Sequence, residues 1–124
     1  NVCAIAQKRG VAGFIVDGVI RDIGESRANG FPLFARGRSP IPAAKEGPGE
    51  INHPIRCGGV VVNPGDMVVA DGEGIVVIPL AMAGDVLKKA QAKSEADAKL
   101  SLDAWEKNHR SKVDATLKAK GYMA

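Results

Sequence analysis

The first 80 residues alternate short apolar runs with glycine and proline, a pattern typical of strands joined by turns and brief helices. Apolar residues at helical spacing within residues 1–9 predict a short helix, which Gly10 can close as a left-handed cap. The continuous apolar run at residues 14–16 is typical of a strand buried on both faces of a parallel sheet. A helix, a glycine turn and a buried strand make half of a βαβ unit, so the pattern predicts an α/β fold.

The pattern continues with one helical turn and several strands. Residues 25–29 can form the helical turn, which Asn29 and Gly30 would end. Strands are predicted over residues 33–35, 51–56, 60–62, 67–70 and 75–78. Turn residues at 64–66 and 71–74 separate the last three strands, so we expect these three to form an antiparallel set.

Beyond Pro79 the apolar residues recur at helical spacing, which predicts one long helix or two, ending near Gly121. The composition changes at the same point, since all seven prolines and 13 of the 15 glycines lie within the first 80 residues. We therefore expect an α/β domain over residues 1–80 and a C-terminal helical extension over residues 81–124. Because an amphipathic helix cannot bury its apolar stripe alone, the extension is expected to pack on the domain or on a neighbouring subunit.

The helical extension carries the net charge of +3, with nine basic and six acidic residues against eight of each before it. Acidic residues are interspersed, and the five aromatic residues leave few stacking platforms, so no nucleic-acid partner is expected.

No apolar run approaches the roughly 18 residues needed to span a bilayer, and no signal-peptide pattern is present, so we expect a cytoplasmic protein without membrane contact. Cys3 and Cys57 lack CxxC spacing and are expected to be free thiols.

The most suggestive chemistry lies at residues 17–22, where an apolar strand runs into Gly18 and then presents Arg21 and Asp22 at its end. Ligands of open α/β sheets bind outside the carboxyl ends of strands. An arginine there can grip a carboxylate or an enolate oxygen, and a neighbouring aspartate can hold a hard cation, so the pair could polarise a 2-oxo acid. The alternative is an ordinary surface salt bridge between the two side chains.

Other polar residues give weaker signals. His53 and His109 are far apart and lack ligand spacing, so structural roles are favoured. The glycines at 58–59 and at 72 and 74 lack the features of a phosphate-binding loop and are interpreted as turns. Arg36 and Arg38 precede a proline-rich stretch and could reach a carboxylated substrate from a mobile loop, although a solvated loop is the favoured interpretation.

Four linked motifs resemble the RraA-like family, which includes the class II 4-hydroxy-4-methyl-2-oxoglutarate / 4-carboxy-4-hydroxy-2-oxoadipate aldolases. They are Val-Asp-Gly-Val-Ile-Arg-Asp at 16–22, Pro-Ile-Arg-Cys-Gly-Gly-Val at 54–60, Asn-Pro-Gly-Asp-Met-Val-Val-Ala-Asp at 63–71 and Gly-Ile-Val-Val-Ile-Pro at 74–79. The resemblance covers roughly residues 1–80. It implies a three-layer β/β/α swivelling-domain sandwich, assembled as a homotrimer or homohexamer, with active sites where subunits meet.

The resemblance also assigns roles to individual residues. Arg21 would bind the pyruvyl end of the substrate, and Asp22 would hold a divalent metal, Mg²⁺ or Mn²⁺. Glu25 would either order metal-bound water or cap the short helix. The aldolase branch carries a further aspartate twenty residues before the arginine, a position immediately before Asn1, so we expect the family's N-terminal part to be missing from this chain.

By resemblance, the expected reaction is retro-aldol cleavage of a 4-hydroxy-2-oxo acid to pyruvate and a second oxo acid, through a pyruvate enolate. Oxaloacetate decarboxylation passes through the same enolate and is an expected side activity. The alternative is an RraA-like protein-binding regulator of a ribonuclease, without catalysis, or an assembly module without retained activity. Regulators of this family commonly lack the acid after the arginine, so Asp22 favours the aldolase.

Overall fold

The computed structural model describes residues 1–44 and 46–122, which divide into the compact units Asn1–Val77 and Ile78–Ala124. The first unit holds the helices α1 (Val2–Lys8) and α2 (Ile23–Ala28) and the strands β1 (Phe14–Ile20), β2 (Leu33–Arg38), β3 (Ile55–Cys57), β4 (Val60–Val62), β5 (Met67–Ala70) and β6 (Ile75–Ile78). The last residue of β6 falls at the division. The predicted domain boundary at residue 80 stays a prediction.

The centre of the first unit is a βαβ crossover, in which β1 pairs in parallel with β2 and α2 connects them. The register runs from Phe14 opposite Leu33 to Ile20 opposite Arg38, and it shifts between Val16 and Val19. This irregularity leaves Asp17 and Gly18 as a bulge within β1. The predicted strand is therefore confirmed, and it continues beyond the bulge to Ile20.

The expectation that β1 is buried on both faces is wrong for this chain. Its side chains alternate between half-buried and exposed positions along the strand. Alternation places successive residues on opposite faces, and one of the two faces of β1 is open to solvent. The apolar Ile15 and Val19 are among the exposed residues, at 38% and 61%.

A small aromatic core connects β1 with the segment that follows α2. Phe31 is 4% exposed, and its ring meets that of Phe14 edge to face, with the centroids 5.0 Å apart. The Phe31 backbone N–H donates to the carbonyl oxygen of Ser26, 3.1 Å away, where Ser26 is also buried. The residues after α2 therefore fold back onto the sheet, which fixes the position of the helix.

The later strands form two hairpins. β3 and β4 pair antiparallel through the turn glycines Gly58 and Gly59, whose φ angles of 59° and 86° suit a two-residue hairpin turn. β5 pairs with β6, and the four residues between them are too few for a parallel crossover. The expected three-stranded antiparallel set is wrong, since β4 and β5 lie in separate sheets within the part of the chain described.

The strand predicted from residue 51 begins only at Ile55. Asn52 adopts a left-handed backbone with φ of 56°, and Pro54 has no backbone N–H to donate to a neighbouring strand. Both features exclude a regular ladder before Ile55. The apolar Ile51 that suggested the strand is 84% exposed.

The second unit is helical, with a 3₁₀ turn at Leu80–Met82 followed by α3 (Ala83–Ala98) and α4 (Leu102–Ala119). Two helices form because α3 ends at Ala98 and Ser101 begins a new helix as its N-cap. The Ser101 hydroxyl accepts from the backbone N–H of Ala104 at 3.2 Å. Gly121, with φ of 75°, follows the end of α4 as expected. In the residues that the structure describes, no helix has both the length and the apolarity to cross a membrane.

We predict that Phe31→Ala lowers the free energy of unfolding by about 3–4 kcal/mol, because it empties the centre of the aromatic core. Ile51→Ala is the matched control, since an exposed truncation of this kind changes stability by less than about 0.5 kcal/mol. Urea unfolding followed by circular dichroism measures both. Equal midpoints for the two variants would contradict the assignment of the core to Phe31.

Candidate active site

An open groove of about 790 Å³ extends along β1 from Phe14 and past its carboxyl end to Arg21 and Asp22. Residues of α1, β1 and α2 line it, together with the segment that follows β2. Two hydrogen bonds tie these elements together: the Gln7 side-chain amide donates to the Asn29 carbonyl at 3.1 Å, and the Ser39 N–H donates to the Ile20 carbonyl at 2.9 Å. Secondary structure on three sides therefore fixes the walls of the groove.

The three residues singled out from the sequence, Arg21, Asp22 and Glu25, all line this groove. Arg21 and Asp22 follow directly on β1, and Glu25 lies in the first turn of α2. The crossover connection brings them to one place, because the chain must turn from the strand into the helix at this point. Their shared position is the arrangement expected of a ligand site at a strand end.

Asp22 has an unusual backbone for a residue other than glycine. Its φ and ψ angles are 58° and 36°, in the left-handed region that aspartate and asparagine enter more readily than other residues with side chains. Its carbonyl oxygen accepts from the Ser26 N–H at 3.3 Å and from the Ser26 hydroxyl at 3.4 Å. The Asp22 carboxylate does not cap α2, so it is available for other contacts.

Arg21 and Asp22 do form the ion pair that was the alternative interpretation. Arg21 Nε lies 3.5 Å from Asp22 Oδ2, and the two side chains are 50% and 61% exposed. An exposed pair at this distance contributes little to stability, because water screens both charges and the side chains lose conformational freedom. The pair is therefore weak enough for each partner to turn towards a ligand in the groove.

The donor set of the groove fits a hard, water-rich cation. Asp22 and Glu25 supply two carboxylates, and within residues 1–44 and 46–122 no three His, Cys, Asp or Glu side chains cluster around one point. Mg²⁺ commonly binds through one or two carboxylates and keeps several waters, whereas structural zinc takes four nitrogen or sulfur ligands. The two carboxylates are therefore of the kind that Mg²⁺ or Mn²⁺ takes as ligands.

A second polar cluster, which the sequence reasoning did not single out, surrounds Asp17. The Asp17 carboxylate accepts from Arg36 Nε through Oδ1 and from the Gly58 N–H through Oδ2, the latter at 3.0 Å. The hydrogen bond from Arg36 and then that from Gly58 lower the pKa of Asp17 below its usual range. Asp17 belongs to the motif at 16–22, but no local pattern reveals partners 19 and 41 residues away.

The structure corrects the interpretation of Arg36 and Arg38. Both lie in β2 and not in a loop, because the strand predicted at 33–35 continues to Arg38. Arg36 is engaged by Asp17 and lines a different cavity from Arg21, so it is not placed to reach a ligand in the groove. Arg38 lines a third cavity, beside β2 and α2.

His109 and the turn glycines take structural positions. The His109 ring stacks on Trp105 within α4, with the centroids 4.8 Å apart. Gly58 and Gly59 form the β3–β4 turn, and the turn before β6 is held by Asp71 Oδ1, which accepts from the backbone N–H groups of Glu73 and Gly74. Cys3 and Cys57 are free thiols, as expected.

Known proteins resemble this chain in sequence. A profile of the RraA-like family, described as Aldolase/RraA, matches residues 1–77. A Halalkalibacterium halodurans protein provisionally named 4-hydroxy-4-methyl-2-oxoglutarate aldolase is 48% identical over 96 residues, covering 77% of this chain and 46% of that protein. A 4-hydroxy-4-methyl-2-oxoglutarate aldolase of Thermus thermophilus is 38% identical over 79 residues, covering 64% of this chain and 48% of its own. The chain thus spans about half the length of the curated relatives it matches.

Solved structures share the fold. An uncharacterized protein from Pseudomonas syringae pv. tomato superposes with a TM-score of 0.73 at 33% identity, covering 79% of this chain and 50% of that one. Streptomyces coelicolor RraAS2 is described as an unusual member of the RNase ES inhibitor RraA protein family. It superposes with a TM-score of 0.63 at 33% identity, covering 86% of this chain and 50% of that one. The domain is therefore of the α/β class with a C-terminal helical part, as predicted. The chain belongs to the RraA-like family, which confirms the resemblance found in its motifs.

We predict that Asp22→Asn leaves the stability of the protein unchanged, whereas Asp22→Val lowers the free energy of unfolding by about 1–2 kcal/mol. The left-handed backbone of Asp22 accommodates asparagine but not a β-branched side chain. Urea unfolding of the two variants, of similar size at the same position, measures the difference. An Asp22→Val variant as stable as Asp22→Asn would argue against a left-handed residue here.

We also predict that the Asp17–Arg36 ion pair makes stability fall in acid. Because the pKa of Asp17 is lowered in the folded protein, its contribution is complete above the ordinary aspartate pKa and is lost as the pH falls through the lowered folded value. Thermal midpoints at decreasing pH should drop more for the native protein than for Asp17→Asn. Arg36→Gln, which removes the first cause of the shift, should reduce this drop as well; parallel curves for all three proteins would refute the linkage.

Proposed function

We propose that the protein is a divalent-metal-dependent aldolase, a carbon–carbon lyase that cleaves 4-hydroxy-2-oxo acids to pyruvate and a second oxo acid. The observation that carries this proposal is the common position of Arg21, Asp22 and Glu25 in one groove at the end of β1. The aldolase names of curated relatives over the same residues support it. A volume of about 790 Å³ accommodates a small dicarboxylate with its bound water.

Arg21 binds the pyruvyl end of the substrate in this proposal. Its guanidinium presents a planar fork of donors that matches a carboxylate and the adjacent keto oxygen. When the bond between C3 and C4 breaks, the 4-hydroxyl loses its proton to water and its oxygen becomes the carbonyl of the second oxo acid. The electron pair of the broken bond moves into the pyruvyl unit as an enolate, so negative charge grows on the oxygen near Arg21, and a proton from water at C3 then gives pyruvate. A cation at that position stabilises the transition state more than the ground state, which is the requirement for catalysis.

Asp22 would hold the divalent ion, Mg²⁺ or Mn²⁺, and Glu25 would contact it through an ordered water. When bound, the ion supplies Lewis-acid stabilisation of the developing negative charge. The exposed carboxylates of Asp22 and Glu25 on the groove wall support this assignment. Oxaloacetate decarboxylation develops the same enolate, so we propose it as a second activity of the same residues.

We further propose that the groove is completed by another copy of the chain, in a homotrimer or homohexamer. The support is the exposure of apolar side chains at the groove: Val2 and Ile41 line it and are 73% and 76% exposed. Apolar side chains this exposed beside a ligand site are typical of a surface that a partner covers.

Light scattering coupled to size exclusion should give the mass of a trimer or a hexamer. Val2→Glu and Ile41→Glu, which place charge on the exposed wall, should lower that mass. Glu50→Lys is the matched control, because it changes a charge at an exposed residue outside the groove lining. A folded monomer at micromolar concentration would contradict the assembly.

The catalytic proposal is tested by pyruvate release from 4-hydroxy-4-methyl-2-oxoglutarate and from oxaloacetate, with Mg²⁺ and with a chelator. We predict that Asp22→Asn lowers kcat/KM by at least about 100-fold at fixed Mg²⁺, since it removes the proposed metal ligand while keeping the backbone compatible. Arg21→Lys should raise KM for both substrates, because a point charge replaces the fork of donors.

Arg27→Lys is the matched control for the arginine variant, since Arg27 lies in α2 but outside the groove lining. A fully active Asp22→Asn variant would overturn the role of Asp22.

The structural similarity to RraAS2 favours one second candidate, a protein-binding regulator of a ribonuclease without catalysis. Inhibition of RNase ES by the native protein and by Asp22→Asn alike, without pyruvate release by either, would favour the regulator.

A further inference from the structure

The bulge in β1 lies immediately before the residues that form the groove. Pairing with β2 is regular from Phe14 to Val16, is interrupted at Asp17 and Gly18, and resumes at Val19. Val19 and Ile20 line the groove, and Arg21 and Asp22 follow them directly. A bulge bends and twists its strand, so the direction in which the end of β1 leaves the sheet depends on how this bulge is held.

The Asp17 carboxylate holds the bulge from two sides. One oxygen accepts from Arg36 of the paired strand β2, and the other accepts from the Gly58 N–H of the β3–β4 turn. These contacts join three segments of the chain, since Arg36 lies 19 residues and Gly58 lies 41 residues after Asp17. Hydrogen bonds to an ionised carboxylate are stronger than neutral ones, and two of them at one group restrain its position and direction.

A carboxylate is required because both partners are donors. Aspartate offers an acceptor oxygen to each, whereas asparagine has one acceptor oxygen and would turn its NH₂ group towards either Arg36 or Gly58. The amide therefore cannot satisfy both contacts. The Asp17 side chain is only 33% exposed, against 64% for Arg36, so water replaces the lost contact incompletely.

We propose that Asp17 is a positioning residue, which acts through the β1 bulge to place Arg21 and Asp22 in the groove. The inference deepens the proposed function and rests on it, because the Mg²⁺ site at Asp22 and the reaction both belong to that proposal. Asp17 does not line the groove but a separate cavity, together with Arg36 and Gly58. Its effect passes along the strand from the bulge to Ile20 and from there to the Arg21–Asp22 pair.

The experiment compares Asp17→Asn, Asp17→Glu and Arg36→Gln with the control Asp66→Asn. Asp66 is matched because its carboxylate also accepts from a backbone N–H, that of Asn63 at 2.8 Å, in a turn that does not line the groove. The first readout is Mg²⁺ titration followed by the amide resonances of Arg21 and Asp22. This readout does not require turnover, so it separates the positioning role from the proposed reaction.

We expect Asp17→Asn and Arg36→Gln to weaken Mg²⁺ binding about tenfold, the low end of what supporting residues contribute to a metal site. Their double variant should be no weaker than the worse single variant, because both changes break the same restraint. Asp17→Glu, which retains two acceptor oxygens, should recover part of the affinity. Asp66→Asn should bind Mg²⁺ as the native protein does.

The second readout is pyruvate release, in which the same variants should lower kcat/KM about tenfold, since the substrate-binding arginine and the metal ligand are both displaced. Native Mg²⁺ affinity in folded Asp17→Asn and Arg36→Gln would overturn the positioning role. Absence of pyruvate release from every protein, with the Mg²⁺ effects as expected, would refute the aldolase and leave the positioning role intact. If Asp17→Asn fails to fold, the Mg²⁺ affinity of Arg36→Gln tests the positioning role instead, because Asp17 keeps its hydrogen bond from the Gly58 N–H in that variant.

Discussion

The parallel pairing of β1 with β2 is the constraint on which the rest of the first unit depends. A parallel pair needs a crossover, and here the crossover contains α2 and the turn into it. The helix must start where β1 ends, so Arg21, Asp22 and Glu25 are brought to the same edge of the sheet. Phe31 then returns the chain to the sheet, and its packing on Phe14 keeps the helix in place. The groove is therefore a direct consequence of the strand pairing.

Local pattern was enough to predict most elements of this fold. The helix at the start, the turn at 25–29, the strands at 60–62, 67–70 and 75–78 and the helical C-terminal part follow from spacing, glycine and capping residues. The failures have non-local causes. The run at 14–16 resembles a fully buried strand, but burial depends on what covers each face, and residues 14–16 carry no information about that cover.

The candidate site likewise contains residues that local pattern predicts and residues whose roles depend on non-local contacts. Arg21 and Asp22 were found because they follow an apolar run, and a strand end is where the chemistry of α/β proteins concentrates. Asp17 was missed because its role depends on Arg36 and on the Gly58 N–H, whose proximity is created by the sheet and by a hairpin turn. Arg36 and Arg38 were placed in a loop because a proline-rich stretch follows them, whereas pairing with β1 extends the strand as far as Arg38.

The left-handed backbone of Asp22 has a consequence for how this position can change over generations. Aspartate, asparagine and glycine are the residues that such a backbone tolerates best, and the codons of the three are linked by single-base changes starting from aspartate. A mutation can thus remove the carboxylate here without disturbing the fold. Descendants of one ancestral gene are then free to lose the negative charge at the groove and to keep the same surface for other uses.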